Sequence, residues 1–341
     1  MKAICLESPQ NFKVIDAPEP PAPKPGDAVV RISRVGICGT DISGYLGKMP
    51  FFSYPRIPGH ELGVEVVAVG DGVANVKPGD RCSVEPYINC QKCSACKRGH
   101  TNCCEQNQTL GVHCDGGLVP LYTVPARKLH VSAKLSFEQL ALVETLAIGC
   151  HAINRGNPQP GEIVLVIGAG PIGLSVIEFA KLSGAKTVVM DVNEQRLKFV
   201  RDVMKVPSTV TAKGDATDVE AVLAHTGGEL PHVVVDATGN NKSMSNALNF
   251  VGFAGRLVFV GITSSEISFG QTLMHRREMT FMGSRNALPG DFRRIIQLIE
   301  DGQLDTQPWI THRTPFDELI GTFPSYLKPE TGVIKAMVEV G

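Results

Sequence analysis

Four cysteines fall at Cys90-x2-Cys93-x2-Cys96-x7-Cys104, a spacing that gathers four thiolates into one short loop. Zinc is well served by tetrahedral sulfur ligation, and a closed four-cysteine site with no open position is structural, not catalytic. Lys92, Lys97 and Arg98 partly offset the charge of such a centre, and Cys103 is out of spacing and reads as a bystander. The chain has ten cysteines. The competing explanations are a disulfide cluster, disfavoured in a reducing compartment, and a nucleic-acid zinc ribbon, disfavoured without a basic surface.

A second, dispersed set can do chemistry: Cys38-Gly39-Thr40-Asp41, Gly59-His60-Glu61 and Glu144. A catalytic zinc needs about three protein ligands and an open position. Each residue also has a bland reading: a buried thiol, a satisfied loop histidine, a carboxylate on a helix face.

Gly168-Ala169-Gly170-Pro171-Ile172-Gly173 follows the apolar run Ile163–Ile167 and opens a helical pattern. The first glycine permits the tight turn, the second lets the backbone approach a pyrophosphate, and the third lets helix and strand pack closely. Asp191, ending the next strand, is placed to accept the adenosine ribose hydroxyls and to repel a 2′-phosphate, which favours NAD over NADP. The alternative is that the glycines only make a turn and Asp191 caps the next helix. Arg196 either stacks on adenine or is a solvated helix residue. Thr238, in Asp236-Ala237-Thr238-Gly239, and Val260-Gly261-Ile262 end later strands on the carboxyl edge, where ligands bind in open α/β sheets.

The elements that position these residues follow two patterns. Residues 1–150 are rich in Gly, Pro and short β-branched runs such as 28–32 and 63–69, which predicts an all-β, barrel-like domain carrying the cysteine lobe at about 88–106. Residues 151–287 alternate strands (163–167, 186–190, 232–236, 256–260, 279–282) with helices (171–183, 193–204), which predicts a parallel, doubly wound sheet. Residues 288–341 hold a helix at 291–301 and a tail, from Trp309, that returns to the first domain. The fold class is therefore α/β plus β.

At 341 residues the chain suits two domains, and a net charge of −1 gives no reason to expect nucleic acid or an anionic membrane as partner. The N-terminus lacks an apolar signal region, and the longest apolar stretch, 163–177, is too short and interrupted to span a bilayer. The expected location is the cytoplasm.

Gly36-Ile37-Cys38-Gly39-Thr40-Asp41, Pro58-Gly59-His60-Glu61, the four-cysteine lobe and the later glycine motif come in the order and spacing of zinc-dependent medium-chain dehydrogenases, which the whole chain resembles. Within that family it is similar to the polyol and sugar-acid branch, through Phe51–Arg56, Gly111–Gly117, Met282–Asn286 and Thr311–Arg313. The resemblance implies a GroES-like catalytic domain, a Rossmann domain, and homodimers or homotetramers. It implies two zinc ions per subunit: a structural one on Cys90, Cys93, Cys96 and Cys104, and a catalytic one on Cys38, His60 and Glu144, with Glu61 alternating or in support. Thr40 then relays the hydroxyl proton and Asp41 orients His60. Ser284 and Asn286 join the glycine-motif residues around NAD. Arg56 and Arg285 could grip a substrate carboxylate, which favours a secondary hydroxyl of a sugar acid over an uncharged polyol; each could equally be a surface or interdomain salt-bridge residue. Two departures stand out: Thr145 replaces the proline usual after this glutamate, and Ser43 replaces a relay histidine. A zinc-free reductase of the same fold and a non-catalytic NAD-binding protein are the rival readings.

Overall fold

The structure, a computed structural model, describes residues 1–50 and 52–341; Phe51, in one of the stretches quoted above, lies outside them. The chain divides into two compact units, Met1–Thr145 with Leu288–Gly341, and Leu146–Ala287. The division falls inside one helix, Phe137–Gly156.

In the first unit a sheet runs in the order Ile310–Pro315, Lys335–Glu339, Asp27–Gly36, Glu61–Val69, Arg81–Val84, Leu129–Val131, and Leu121–Pro125 pairs additionally with Asp27–Gly36. The run that reads as 28–32 thus continues to Gly36. Its alternate apolar residues, Ala28, Val30 and Ile32, join Leu62, Val64 and Val338 in the core. The register places Gly36 opposite both Glu61 and Met337. Three neighbouring strands therefore end together at the positions of Ile37–Cys38, His60–Glu61 and Lys335. A short pairing of Tyr87–Ile88 with Gln108–Thr109 closes the base of the cysteine loop.

The second unit is a six-stranded parallel sheet in the order Thr209–Thr211, Lys186–Asp191, Ile163–Ile167, Val233–Asp236, Arg256–Phe259, Thr280–Gly283. The strand order reverses beside Ile163–Ile167, the doubly wound arrangement whose crevice at the reversal takes ligands. All five residues of that strand are buried, as expected of a strand covered on both faces. The helix expected at 193–204 spans Glu194–Asp202, with the Asn193 side chain accepting the Gln195 and Arg196 N–H groups. The edge strand Thr209–Thr211 has no counterpart in the sequence reading: three residues of mixed polarity are too few to show a period.

Candidate catalytic centre and cofactor cradle

Cys38 caps the helix Gly39–Tyr45, and Asp41 Oδ2 accepts the Cys38 N–H at 2.9 Å. The other oxygen of Asp41 faces His60 Nδ1 at 3.8 Å, and both of those buried atoms lack a hydrogen-bond partner. One carboxylate thus stands against both Cys38 and His60.

His60 is presented by a turn whose Gly59 has φ +103°. Gly116 N–H donates to Ile57 O, Gly117 N–H to Gly59 O and Leu118 N–H to Pro58 O, all within 3.0 Å. A Cβ on Gly116 would lie 2.2 Å from Gly59 O. The glycine-rich stretch 111–117 is therefore a backbone clamp on the turn that carries His60. Gly36 is just as constrained: its Cβ would lie 2.0 Å from Glu61 Oε2.

Ligand atoms of Cys38, His60 and Glu61 lie within 4.8 Å of one another. Glu144, also buried, stands beside this triple without completing it; its Oε1 accepts a hydrogen bond from the Tyr87 hydroxyl. Glu61 is engaged more heavily. Lys335 Nζ donates to both of its oxygens, at 2.6 and 2.7 Å, and to Ile37 O at 3.3 Å, with both side chains fully buried. Thr40 and Ser43 are half-buried on the helix, and Thr145 is fully buried.

The charges here point one way. Burial disfavours a protonated His60, yet Cys38 and Asp41 outweigh it and push the imidazole well above its usual range. Burial raises Glu144, opposed by His60 and reinforced by Glu61. Burial also works to raise Glu61, but Lys335 and His60 overcome it and hold the carboxyl low. Against Cys38, Asp41, Glu61 and Glu144 the only permanent cation in this set is Lys335. A thiol, an imidazole and carboxylates in so acidic a pocket are a donor set that fits a divalent zinc ion.

The four lobe cysteines are free thiols whose sulfurs lie within 4.8 Å of one another. The Cys93 and Cys104 sulfurs are 4.0 Å apart, close to the ~3.8 Å that a tetrahedron with Zn–S of about 2.3 Å requires. Backbone N–H groups point at the sulfurs: Cys90 at Cys104 (3.2 Å), Cys93 at Cys90 (3.3 Å) and Cys96 at Cys93 (3.5 Å). Donation from the Cys96 and Glu105 backbone brings the Cys93 thiol down to about 6, while burial pushes Cys104 up to about 11. Cys103 is exposed.

In the second unit the glycines divide their duties. Gly168 has φ +99°. A Cβ on Gly173 would lie 1.8 Å from Gly168 O, whereas one on Gly170 would meet only Arg196 Nη1, at 3.7 Å. The loop therefore leaves its open side at Gly170, above the start of the helix Pro171–Leu182, where Ile172 also sits. Asp191 Oδ2 accepts the Ala169 N–H at 2.5 Å and Oδ1 the Asn193 N–H at 2.7 Å, leaving one lone pair on each oxygen. Thr238 donates to Asp236 through N–H and hydroxyl. A Cβ on Gly261 would lie 2.2 Å from Gly239 N. Val260 is buried, Ile262 is exposed, and the Ser284 hydroxyl is buried without a partner. Asn286 has φ +51°.

The two arginines differ. Arg56 donates to Asp115 Oδ1 at 3.1 Å and to Ser53 Oγ at 2.6 Å, so its guanidinium already serves the loop that clamps His60. Arg285 is exposed. Two functional residues escaped sequence reasoning. Lys335 carried a signal, a lone cation inside the apolar run 333–338. Tyr87 carried none.

Comparison with known proteins agrees with this geometry. Residues 24–134 match the family model of the alcohol dehydrogenase GroES-like domain, and residues 171–301 that of the zinc-binding dehydrogenases. The chain is 41% identical to L-galactonate-5-dehydrogenase of Escherichia coli K12, covering 99% of this chain and 98% of that protein. It is 32% identical to L-arabinitol 4-dehydrogenase of Hypocrea jecorina, over 93% and 86% of the two chains. The solved structure of the alcohol dehydrogenase RspB of Escherichia coli CFT073 with NADH superposes with a TM-score of 0.92 at 27% identity, over 100% and 99% of the chains. With a four-thiolate lobe, a thiol–imidazole–carboxylate cluster and a Rossmann-type sheet in one chain, the protein belongs to the zinc-dependent medium-chain dehydrogenases.

Proposed function

We propose that the protein oxidises a secondary hydroxyl of a sugar acid, an aldonate resembling L-galactonate, to the keto acid, with NAD as acceptor. The observation that carries this reading is the cluster of half-buried Cys38 with the buried His60 and glutamates, in a chain 41% identical to an L-galactonate dehydrogenase. A zinc held there would supply Lewis acidity toward the hydroxyl, and NAD held in the second unit would supply the hydride acceptor.

The chain's own residues do the rest. Cys38, His60 and one glutamate hold the metal. The close triple contains Glu61, but charge balance favours Glu144 as the resting ligand. Lys335 already neutralises Glu61 through both oxygens, whereas the neutral Tyr87 engages one oxygen of Glu144 and leaves its charge intact. Glu61 is then the alternate ligand. Asp41 faces Nδ1 of His60 and so leaves Nε2 for the metal, the usual arrangement behind a ligating histidine. Thr40 accepts the substrate proton and passes it outward, without a histidine at Ser43. The lobe cysteines hold a second zinc.

NAD is favoured over NADP because Asp191 keeps an acceptor on each oxygen for ribose hydroxyls and repels a 2′-phosphate. Gly168, Gly170, Pro171, Ile172 and Gly173 line the pyrophosphate position; Arg196, Thr238, Val260, Gly261, Ile262, Ser284 and Asn286 complete the cradle. Gly170→Ala is expected to fold normally and to weaken NAD binding about tenfold or more, because its methyl fills the pyrophosphate approach. Gly173→Ala, driven into a backbone carbonyl, is expected to lose at least about 1–3 kcal/mol of stability. Thermal melting without cofactor and NAD titration separate the two.

Arg56 is occupied by Asp115 and Ser53, and it and the exposed Arg285 are the candidates for the substrate carboxylate. That occupation, with the likeness to an arabinitol dehydrogenase, favours a polyol as the second reading. A screen of NAD reduction against aldonates and polyols decides: turnover of polyols alone overturns the sugar-acid assignment. We further propose a homodimer or homotetramer in the cytoplasm. Supporting this are the open edge of the parallel sheet at Thr280–Gly283, the free thiols of the four-cysteine lobe, and the absence among the described residues of any helix long and apolar enough to cross a membrane.

A further inference from the structure

We propose that Tyr87 is a positioning residue for the catalytic centre, holding Glu144 through its phenol and tying that glutamate to the four-cysteine lobe. The inference rests on the catalytic reading above and deepens it. Tyr87 is 2% exposed, and its hydroxyl is spent on one oxygen of Glu144, 57 residues away. Against a carboxylate oxygen, which only accepts, the phenol is the donor of the pair. A carboxylate held at Oε1 by a neutral group keeps its full charge and a directed second oxygen for a cation. Phenylalanine would fill the same volume, so packing alone does not account for the hydroxyl.

The tyrosine is itself fixed from both sides. Its ring meets Phe292 edge-on, with centroids 6.4 Å apart, and Phe292 stacks at 5.0 Å on His130. His130 Nε2 lies 3.3 Å from Glu85 Oε2, two residues before Tyr87, and Glu85 also accepts Lys128. On the other side Pro86 O accepts the Leu110 N–H at 3.1 Å, and Tyr87–Ile88 pairs with Gln108–Thr109. The next turn of chain is Cys90. The strand pair that closes the metal lobe therefore also sets where Tyr87 holds Glu144.

The test is Tyr87→Phe in the full-length zinc-loaded protein, followed by zinc release to a chelator and by the visible spectrum after cobalt exchange into the catalytic site. Both zinc ions are expected to remain at rest. The catalytic one should leave about 10–100-fold faster, the effect typical of losing a partner behind a metal ligand. The lobe zinc should leave at the wild-type rate, and the cobalt band should shift. In a Glu144→Gln background the same change should have no further effect on release, since the two groups act as one. Wild-type release and an unshifted band overturn the proposal. So does joint loss of both ions, which marks a purely structural tyrosine. A wild-type chain holding only its lobe zinc overturns instead the catalytic reading, and is seen before any variant is made.

Discussion

Cys38→Ser is expected to lower NAD reduction by at least about a thousandfold, because without the metal the hydroxyl loses the acidification that a bound zinc would supply. A serine hydroxyl is not ionised at neutral pH and is a hard donor, so the cluster loses its one soft ligand. Zinc content should fall from about two to about one per chain, the remaining ion being that of the lobe. The fold should be untouched. Cys38 stands at the N-cap of Gly39–Tyr45, a position that serine favours. The hydrogen bond to Asp41 comes from the backbone of residue 38 and survives. Metal analysis, melting temperature and initial rates on one preparation make the check. Activity surviving with one zinc would mean that the catalytic assignment is wrong.

Lys335→Met should be the most destabilising single change at the centre. Removing one partner of a buried ion pair typically costs about 3–5 kcal/mol, since the other charge is left buried and uncompensated. Lys335 and Glu61 are 1% and 0% exposed, and Glu61 loses the donor to both its oxygens. Adding Glu61→Gln should recover most of the loss. The pH dependence has a definite sign. Glu61 is held below its usual value, so its contribution is present above the ordinary carboxylate range and is lost as pH falls through the lowered value. Lys335 is raised, with burial opposing and Glu61 prevailing, so its contribution is complete below the ordinary lysine range and fades only in strong alkali. Denaturant melts across pH should show a constant deficit near neutrality that narrows in acid. A deficit below about 1 kcal/mol at pH 7 would contradict a fully buried pair.

Local features of this chain were legible without coordinates. The glycine motif works through its immediate neighbours, so Gly173 against Gly168 and the opening at Gly170 follow from spacing alone. The cysteine loop is likewise closed within fifteen residues. Cys38, His60 and Glu144 became legible only through family resemblance, because strand register, not spacing, brings them together. Arg56 reads equally as a substrate group or a salt-bridge residue, because a sequence carries no mark of the Asp115 and Ser53 side chains that meet its guanidinium. The helix Phe137–Gly156 entered the sequence reading only as a face for Glu144, without bounds. It is buried on nearly every face, so it shows no stripe of period 3.6. Lys335 and Tyr87 were missed because each partner lies far away in the chain.

That separation orders how the protein is made. The cysteine lobe closes within its own loop, Tyr87 finds Glu144 after 57 further residues, and the parallel sheet is complete by Gly283. Glu61 waits longest: its counter-charge lies 274 residues downstream. Since chains emerge from the ribosome at about 5–20 residues per second and units fold in turn, a nascent chain has its lobe and its cofactor-type sheet before its centre is neutralised. Synthesis arrested before residue 335 would leave Glu61 without its cation. Such fragments, lacking a strand of the sheet beside Asp27–Gly36, would be natural clients of chaperones and proteases.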